Sequence, residues 1–337
     1  MNRYVLARGR VRVRAIWGLA MLLLWVGGCQ QTQGGGWDGV PLDVRAEARR
    51  IIDSSLTHRS EIVRAHAVEA IKDTVGSSGH EQIIAAMSDP APVVRFAACM
   101  AAGELRLPQA VPVLRKMMGE PNINSDVQVA VIFALHRLGD VRYSAGLEEA
   151  LGSTRAGTRG NAVLALGRLG EPTAVRVIRP RLKDSDVGVR LQAAEALWRL
   201  GDEEGLKALA SAALSGNPSH QMTALLALAG PRRREVIQHV RESLESDRLE
   251  VRLVAARAMG MLGSREGLAI ARGATTHPEA AMRYLSALAL GAIGDPDTLP
   301  LLRRMLSDSD ADVRLAAAVA VFALDRGSPV AGGIPPS

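Results

Sequence analysis

The sequence predicts an all-α protein, an α-solenoid (superhelix) of about nine helix pairs, and three observations support this prediction. A Val-Arg pair followed by an Ala-rich run recurs along the chain, mostly at intervals of 31 residues. Hydrophobic residues make up 47% of the chain but aromatic residues only 3%, a balance that suits closely packed helices better than strands. At 337 residues the chain is also longer than one hydrophobic core usually grows, which favours a repeat array.

Each repeat can be numbered from one anchor position, the arginine of the Val-Arg pair or its equivalent. The nine anchors are Arg64, Arg95, Gln128, Arg159, Arg190, Gln221, Arg252, Arg283 and Arg314. Position +6 is alanine in every repeat, as expected where only a methyl group fits between two crossing helices. Positions −1, +3, +6, +7 and +10 form an apolar stripe, and glycine at +11 commonly ends the helix.

A second helix is predicted in each of the eight repeats that are complete, because position +19 is apolar in all of them. One helix pair cannot bury both of its apolar faces, so neighbouring pairs are expected to stack. The segments SDPAPVVRFAACMAAGELRLPQAVPVLRKMM and KDSDVGVRLQAAEALWRLGDEEGLKALA resemble short HEAT repeats of the phycobilisome-lyase type, and the resemblance extends over residues 44–324. It implies that the anchor helices line a concave surface. It also implies an alternative function, a non-catalytic or catalytic subunit related to bilin-lyase-type HEAT proteins.

The amino terminus resembles the signal peptide of a bacterial lipoprotein. Residues 1–28 combine a basic start with a 12-residue apolar segment, which is too short to cross a bilayer as a helix. They lead to Val26-Gly27-Gly28-Cys29, which is similar to a lipobox. The resemblance implies acylation (palmitate) of Cys29, with the protein anchored to the cell membrane or outer membrane and facing the periplasm or extracytoplasmic space. An ordinary signal peptide that ends near a cysteine is the alternative.

This organisation predicts four segments: the signal peptide at 1–28, a flexible tether at 29–42, the solenoid at 43–325 and a disordered tail at 326–337. Five of the 41 Lys and Arg residues lie in the first 28 residues, which lack Asp and Glu, so the rest of the chain carries 36 basic against 35 acidic residues. That near-neutral balance argues against a nucleic-acid partner. We expect a protein or peptide partner instead, together with a membrane attachment through Cys29.

No motif predicts catalysis. The seven histidines lack metal-ligand spacing, and no phosphate-binding loop, dinucleotide fingerprint or nucleophile elbow is present. The chain is therefore expected not to be an enzyme, and to have no catalytic, cofactor-binding or metal site, no cofactor and no small-molecule substrate. Of the two cysteines, Cys99 falls on the apolar stripe and is expected to be a small buried hydrophobic residue.

Large apolar residues occupy positions +1, +5 and +8, on the side of the anchor helix opposite the apolar stripe. The candidate partner-binding residues among them are Phe96, Met100, Phe133, Leu164, Leu191, Trp198, Leu226, Tyr284 and Leu288. They predict either an exposed apolar groove that binds a partner or side chains buried between adjacent repeats.

Two sets of arginines also recur. The anchor arginines are expected to bridge loop carbonyls or carboxylates such as Asp186 and Asp310, with an acidic ligand as the alternative. At position +20 a basic stripe predicts either a solvated face or contact with anionic headgroups or an acidic partner. Its members are Arg115, Arg179, Arg241, Arg272 and Arg303.

Overall fold

A computed structural model describes residues 39–325, and within that range the only regular secondary structure is helical. The predicted all-α repeat array is thus confirmed. The predicted signal peptide, Cys29, most of the tether and the tail lie outside the described residues. Among the described helices, none combines the length and the apolar character needed to cross a bilayer.

The helices of residues 39–325 alternate between an inner and an outer position. The inner helices, which carry the anchors, are α2 (Glu61–Thr74), α4 (Pro92–Glu104), α6 (Ser125–Arg137), α8 (Ala156–Leu169), α10 (Val187–Arg199), α12 (Pro218–Ala229), α14 (Leu249–Met261), α16 (Ala280–Ile293) and α18 (Ala311–Asp325). The outer helices are α1 (Leu42–Ser55), α3 (His80–Ala86), α5 (Val111–Met118), α7 (Ala145–Ala150), α9 (Val175–Ile178), α11 (Glu203–Ala213), α13 (Ile237–Arg241), α15 (Leu268–Gly273) and α17 (Leu299–Met305). The 3₁₀ turns Arg179–Lys183 and Glu242–Glu245 continue the short helices α9 and α13.

The alanine column at position +6 packs as the sequence predicts. All nine alanines are at most 2% exposed. Gly167 on α8 shows how closely the inner helices approach, because a Cβ added there would lie 2.6 Å from the Cβ of Ala196 on α10. Side chains larger than methyl would separate the inner helices.

The anchor arginines hold consecutive repeats together. Arg64 donates from Nε and Nη2 to the Asp89 carboxylate at 2.7 and 2.8 Å, and Arg95 donates from Nη1 to the Asp89 carbonyl at 3.0 Å. The same arrangement recurs around Asp184 and Asp308. One aspartate thus joins two repeats through its side chain and its backbone.

The prediction that anchor arginines bridge loop carbonyls is confirmed, but the carboxylates we expected were wrong. Asp186 and Asp310 instead accept backbone N–H bonds at the start of α10 and α18. Helix starts leave such donors unsatisfied, and a short acidic side chain at the N-cap is well placed to accept from them.

Eight of the nine inner helices are followed by a left-handed residue, at position +12 in the first repeat (Gly76) and at position +11 in the next seven. Glycine supplies this conformation at position +11 in five repeats, for example Gly139 at φ +89°. Two repeats use an arginine instead, Arg106 at φ +51° and Arg232 at φ +57°. Side chains with a Cβ are disfavoured in this region of backbone space, so both arginines are held in a strained conformation.

The array closes into a ring because α1 acts as the missing outer helix of the ninth repeat. Helix α1 packs against α18, and α18 also contacts α2. Ile52 of α1 is fully buried, and it lies 12 residues before the first anchor, which is position +19 of a preceding 31-residue repeat. Polar contacts cross this seam, with Arg45 donating to Asp325 and His66 lying 3.0 Å from Asp312.

Ring closure through α1 can be tested by truncating its central side chain. Ile52→Ala should lower the free energy of opening at the seam by about 2–5 kcal/mol, because it leaves a cavity in a buried site. Amide hydrogen exchange should then accelerate in α1 and α18 while α10 stays protected. The matched control is Leu209→Ala, the same repeat position in the middle of the array, which should accelerate exchange around α11 instead. Unchanged exchange in α18 of the Ile52 variant would show that α1 does not hold the ring closed.

Backbone strain at Arg106 gives a second prediction. Arg106→Gly should raise the free energy of unfolding by about 0.5–1 kcal/mol, because glycine adopts the left-handed conformation without a Cβ clash. Gly139→Ala is the reciprocal change; its new Cβ would meet no atom within 4 Å, so only backbone strain should act. Urea denaturation should show this variant less stable by about 1 kcal/mol. Equal stability of Gly139→Ala and the wild type would mean that the left-handed position is not strained.

Candidate functional site

All nine candidate partner-binding residues lie on inner helices. Seven of them are buried, namely Met100, Phe133, Leu164, Leu191, Trp198, Leu226 and Leu288. Phe96 and Tyr284 are half-buried. The sequence predicted either an exposed apolar groove or side chains buried between adjacent repeats. The seven buried residues fit the second alternative, and these side chains do not form an exposed apolar groove. Their role in partner binding stays a prediction.

Trp198 illustrates how these residues are packed. Its side chain is 2% exposed, and its indole Nε1 donates to the Leu228 carbonyl of the next inner helix at 3.1 Å. The guanidinium of Arg233 lies 4.4 Å from the ring centroid, a cation–π distance. A buried tryptophan with a hydrogen-bonded N–H and a cation over its face stabilises the contact between its helix and the next repeat.

The basic stripe at position +20 is neutralised by the next repeat. Arg115 pairs with Asp140 at 3.0 Å and Arg241 pairs with Glu266 at 2.8 Å. Across the seam, Arg303 pairs with Asp43 at 3.0 Å. The outer face of the described residues is thus a ladder of ion pairs between repeats, and the stripe offers little unbalanced charge to an anionic surface.

Cys99 is fully buried, as predicted. Burial raises the pKa of its thiol, so the reactive thiolate is disfavoured. Residues 39–325 contain no group of three or more His, Cys, Asp or Glu side chains arranged to hold a metal ion.

Charged side chains meet inside the ring at positions +5, +8 and +9, and we call them the inner charge cluster. Its members are Glu69, Lys72, Asp73, Glu104, Arg168, Glu195, Arg199 and Arg257. They come from α2, α4, α8, α10 and α14. The cluster therefore connects repeats that are not neighbours along the chain.

Lys72 is a buried cation with three carboxylates of the cluster around it. Its Nζ donates to Glu69 on the same helix and to Glu104 of α4 at 2.9 Å, and it lies 3.7 Å from Asp73. Burial alone would lower the pKa of Lys72, but the charges of Asp73, Glu69 and Glu104 outweigh that effect and raise it. The ammonium form is thus favoured at every physiological pH.

Glu104 is the carboxylate on which the cations converge. It accepts from Lys72 on one oxygen and from Arg168 of α8 on the other. Burial would raise the pKa of Glu104, yet the charges of Lys72 and Arg168 prevail and lower it to about 2. An ionised carboxylate between two cations is the favoured state here.

The remaining members of the cluster are also buried or paired. Glu195 accepts from Arg199 at 3.0 Å and from Gln192 at 3.3 Å. Arg257 is buried on α14, and burial lowers its pKa, although Tyr284 and Asp73 oppose the change. Tyr284 is itself held neutral, since burial raises its pKa to about 12.

The directions of these pKa shifts decide what the inner charge cluster can do chemically. A general acid or base works best when its pKa lies near the operating pH. Glu104 and Lys72 are shifted away from neutrality in opposite directions, so neither exchanges a proton readily. The arrangement suits a permanent electrostatic link across the ring better than proton transfer.

Sequence reasoning missed this cluster, although a signal for it exists. Position +9 carries Asp73, Glu104, Arg137, Arg168 and Arg199 in five consecutive repeats, and apolar or glycine residues in the other four. The pattern identifies charged residues on one face of five helices. It does not say that helices two and three repeats apart meet, because that depends on how tightly the array curves.

The electrostatic role of Glu104 predicts a specific pH dependence. The pKa of Glu104 lies at about 2 in the folded chain against an ordinary value of 4.5, so its ionised form contributes stability above about pH 4.5 that is lost as the pH falls towards 2. Glu104→Gln should lower the free energy of unfolding by about 3–5 kcal/mol at pH 7, and the difference from wild type should shrink in that acid range. Urea denaturation across pH 7 to 3 measures it, with Glu203→Gln on the exposed surface as the control. A difference that is independent of pH would refute the electrostatic role.

Comparison with known proteins identifies the repeat. The protein-family model described as HEAT repeats matches residues 49–124, 123–193, 175–251 and 244–322. No curated protein matches the chain. Human deoxyhypusine hydroxylase in complex with glycerol is a similar solved structure, 18% identical, with 84% of this chain and 97% of that chain covered and a TM-score of 0.37.

The complex of CpcE and CpcF of phycocyanin lyase from Nostoc sp. PCC7120 is also similar, at 17% identity, with 77% of this chain and 98% of that chain covered and a TM-score of 0.42. Identities and TM-scores this low transfer no activity from either protein. The repeat matches, by contrast, run from residue 49 to residue 322, and the chain therefore belongs to the HEAT-repeat family.

Proposed function

We propose that this HEAT-repeat chain is a membrane-anchored scaffold of the cell envelope that binds a protein or peptide partner. The observation that carries the proposal is the sequence Val26-Gly27-Gly28-Cys29 at the end of a basic and then apolar segment, followed by a repeat array. Two acyl chains at Cys29 would hold the array stably at a membrane, whereas one would bind only reversibly. The proposed location is the cell membrane or outer membrane, facing the periplasm or extracytoplasmic space.

The chemistry of the ring supports a binding role over a catalytic one. The inner charge cluster favours fixed ionisation of Lys72 and Glu104, and a proton-transfer group needs the opposite. The alternative function, a subunit related to bilin-lyase-type HEAT proteins, gains no support from this cluster. HEAT arrays present long surfaces to other proteins, which is the general use of solenoids.

The concave face stays the proposed binding surface, and the seam controls access to it. Separation of α1 and α2 from α18 would open the ring towards the inner helices that carry Trp198, Leu226 and Tyr284. The ion pairs at this seam are partly exposed, since the side chains of Arg45 and Arg303 are 41% and 58% exposed. Exposed pairs contribute little stability, so we propose that the ring opens at the seam while the other repeat interfaces persist.

Locking the seam tests this proposal. Arg45→Cys and Asp325→Cys replace two side chains that touch across the seam, and a short bismaleimide can join them in a Cys99→Ser background. The locked ring should capture at least about tenfold less partner from detergent-solubilised membranes than the unlinked double variant, because the binding-competent open state is removed.

Two controls make that experiment decisive. Cross-linker should leave capture by the wild type unchanged, and the acyl modification of Cys29 should be measured separately by mass spectrometry. Equal capture by the locked and unlinked rings would contradict binding on the concave face. An unmodified Cys29 in protein from native membranes would contradict the anchor and leave the binding result to stand alone.

A further inference from the structure

A groove lies on the outer face of the fourth and fifth repeats, formed by outer rather than inner helices. It has a volume of about 1110 Å³, and it is lined by α9, the 3₁₀ turns on either side of that helix (Pro172–Ala174 and Arg179–Lys183) and the start of α11. Pro180 interrupts the outer helix here, because proline lacks a backbone N–H and its ring clashes with the preceding turn. Helix α9 therefore ends at Ile178, and a 3₁₀ turn follows it.

Four apolar residues line the groove, namely Pro172, Val175, Pro180 and Leu182. Val175 and Leu182 are half-buried against the core, whereas the two prolines are exposed. Pro180 also cannot give a helical N–H to the carbonyl of Arg176, four residues earlier. Apolar contacts and main-chain acceptors are the features that bind extended peptides.

The chain segment that forms most of the groove is strongly basic. Residues 172–183 contain four Lys and Arg residues and no Asp or Glu, whereas the corresponding residues 234–245, two repeats later, contain two Arg and three Glu. Arg179 pairs with Asp202 and lies 3.7 Å from Glu204, the one carboxylate among the described residues that line the groove. The negative charge of α11 is therefore directed to Arg179, and the groove keeps an excess of positive charge.

Arg176 and Lys183 supply that excess. Both line the groove and are exposed, and neither forms an ion pair within residues 39–325. They are seven residues apart along α9 and the 3₁₀ turn, which rise about 1.5–2.0 Å per residue, so their Cα atoms lie roughly 10–14 Å apart. An extended chain covers that distance in about four residues. Its side chains alternate in direction, so positions i, i+2 and i+4 face the same side.

We propose that this groove binds an extended acidic peptide. Two carboxylates at positions i and i+4 of the peptide pair with Arg176 and Lys183, and an apolar side chain at i+2 contacts the apolar residues between them. Charge complementarity selects an acidic occupant. The free helical position at the Arg176 carbonyl selects a peptide, because a peptide backbone supplies N–H donors and an acyl chain does not. The site requires neither the lipid anchor nor opening of the ring at the seam.

Fluorescence anisotropy of a labelled peptide, with the full chain in detergent at low ionic strength, tests the site. The probe is the peptide Ser-Glu-Ser-Leu-Ser-Glu-Ser. Three comparison peptides carry Gln in place of both Glu, Lys in place of both Glu, or Ser in place of Leu. We expect the probe to bind at least about tenfold more tightly than the Gln and Lys peptides, which lose the charge-assisted contacts. The peptide without Leu should bind about threefold or more weakly, because it loses the apolar contact.

Substitutions in the groove locate the binding site. Arg176→Gln and Lys183→Gln should each weaken binding of the probe by about threefold to tenfold, the effect of losing one exposed but charge-assisted contact. The melting temperature should stay unchanged, because both side chains are exposed and unpaired. Arg234→Gln is the matched control. It removes an exposed cation from the corresponding segment two repeats later, and it should leave binding unchanged.

The outcomes separate this groove from the concave face and from other occupants. The ring that is locked at the seam should bind the probe as the unlinked ring does, so either site can fail without the other. Phosphatidylglycerol added to the detergent should leave probe binding unchanged; displacement of the probe would assign the groove to an acidic lipid instead. The proposal is also overturned if the probe binds no better than the Gln peptide, or if Arg234→Gln weakens binding as much as Arg176→Gln, since binding would then follow overall charge.

Discussion

Ring closure by α1 is the contact on which the rest of this structure depends. A stack of helix pairs leaves an uncovered apolar face at each end, and solenoids need capping repeats to protect those faces. Here the first helix of the chain completes the last repeat, so that Ile52 and Val44 are buried against α18. One helix therefore covers both ends at once. The inner helices are then enclosed by their neighbours. Every side chain that they direct inward must pack against other side chains or form an ion pair.

Enclosure explains why the inside of the ring combines apolar packing with buried charge. Leu164 and Phe133 fill space between helices, while Lys72, Glu104 and Arg168 link helices from different repeats. Buried ion pairs rarely add net stability over apolar residues of similar size, because desolvation offsets the attraction. We infer that their benefit is selectivity, since the charges are satisfied only when the correct helices meet. In a chain of nearly identical repeats, that selectivity disfavours rings closed in the wrong register.

The features that could be predicted from sequence are those that repeat. The alanine at +6, the apolar residue at +19 and the helix end at +11 each serve a contact within one repeat or between adjacent repeats, so each recurs at the same spacing. Curvature is different, because small rotations between repeats accumulate around the array. Position +9 carries charged residues in five consecutive repeats, but nothing in their spacing indicates that Arg168 pairs with Glu104 across the ring. One sign of closure was present: Ile52 occupies position +19 of a repeat that has no anchor helix of its own.

Departures from the repeat are more informative about function than the repeat itself. Packing alone favours glycine at +11 and tolerates many residues at +9, yet arginines gather at these positions over repeats two to six. Arg168 pairs with Glu104 of another repeat and is explained by closure, and Arg199 pairs with Glu195 on its own helix. Arg106 and Arg137 are not explained in this way, because neither has a carboxylate partner among residues 39–325, and Arg106 also adopts a left-handed backbone conformation. Positions at which the residue type departs from what packing requires are therefore the most informative ones to test by substitution, because the contacts of the fold alone do not determine them.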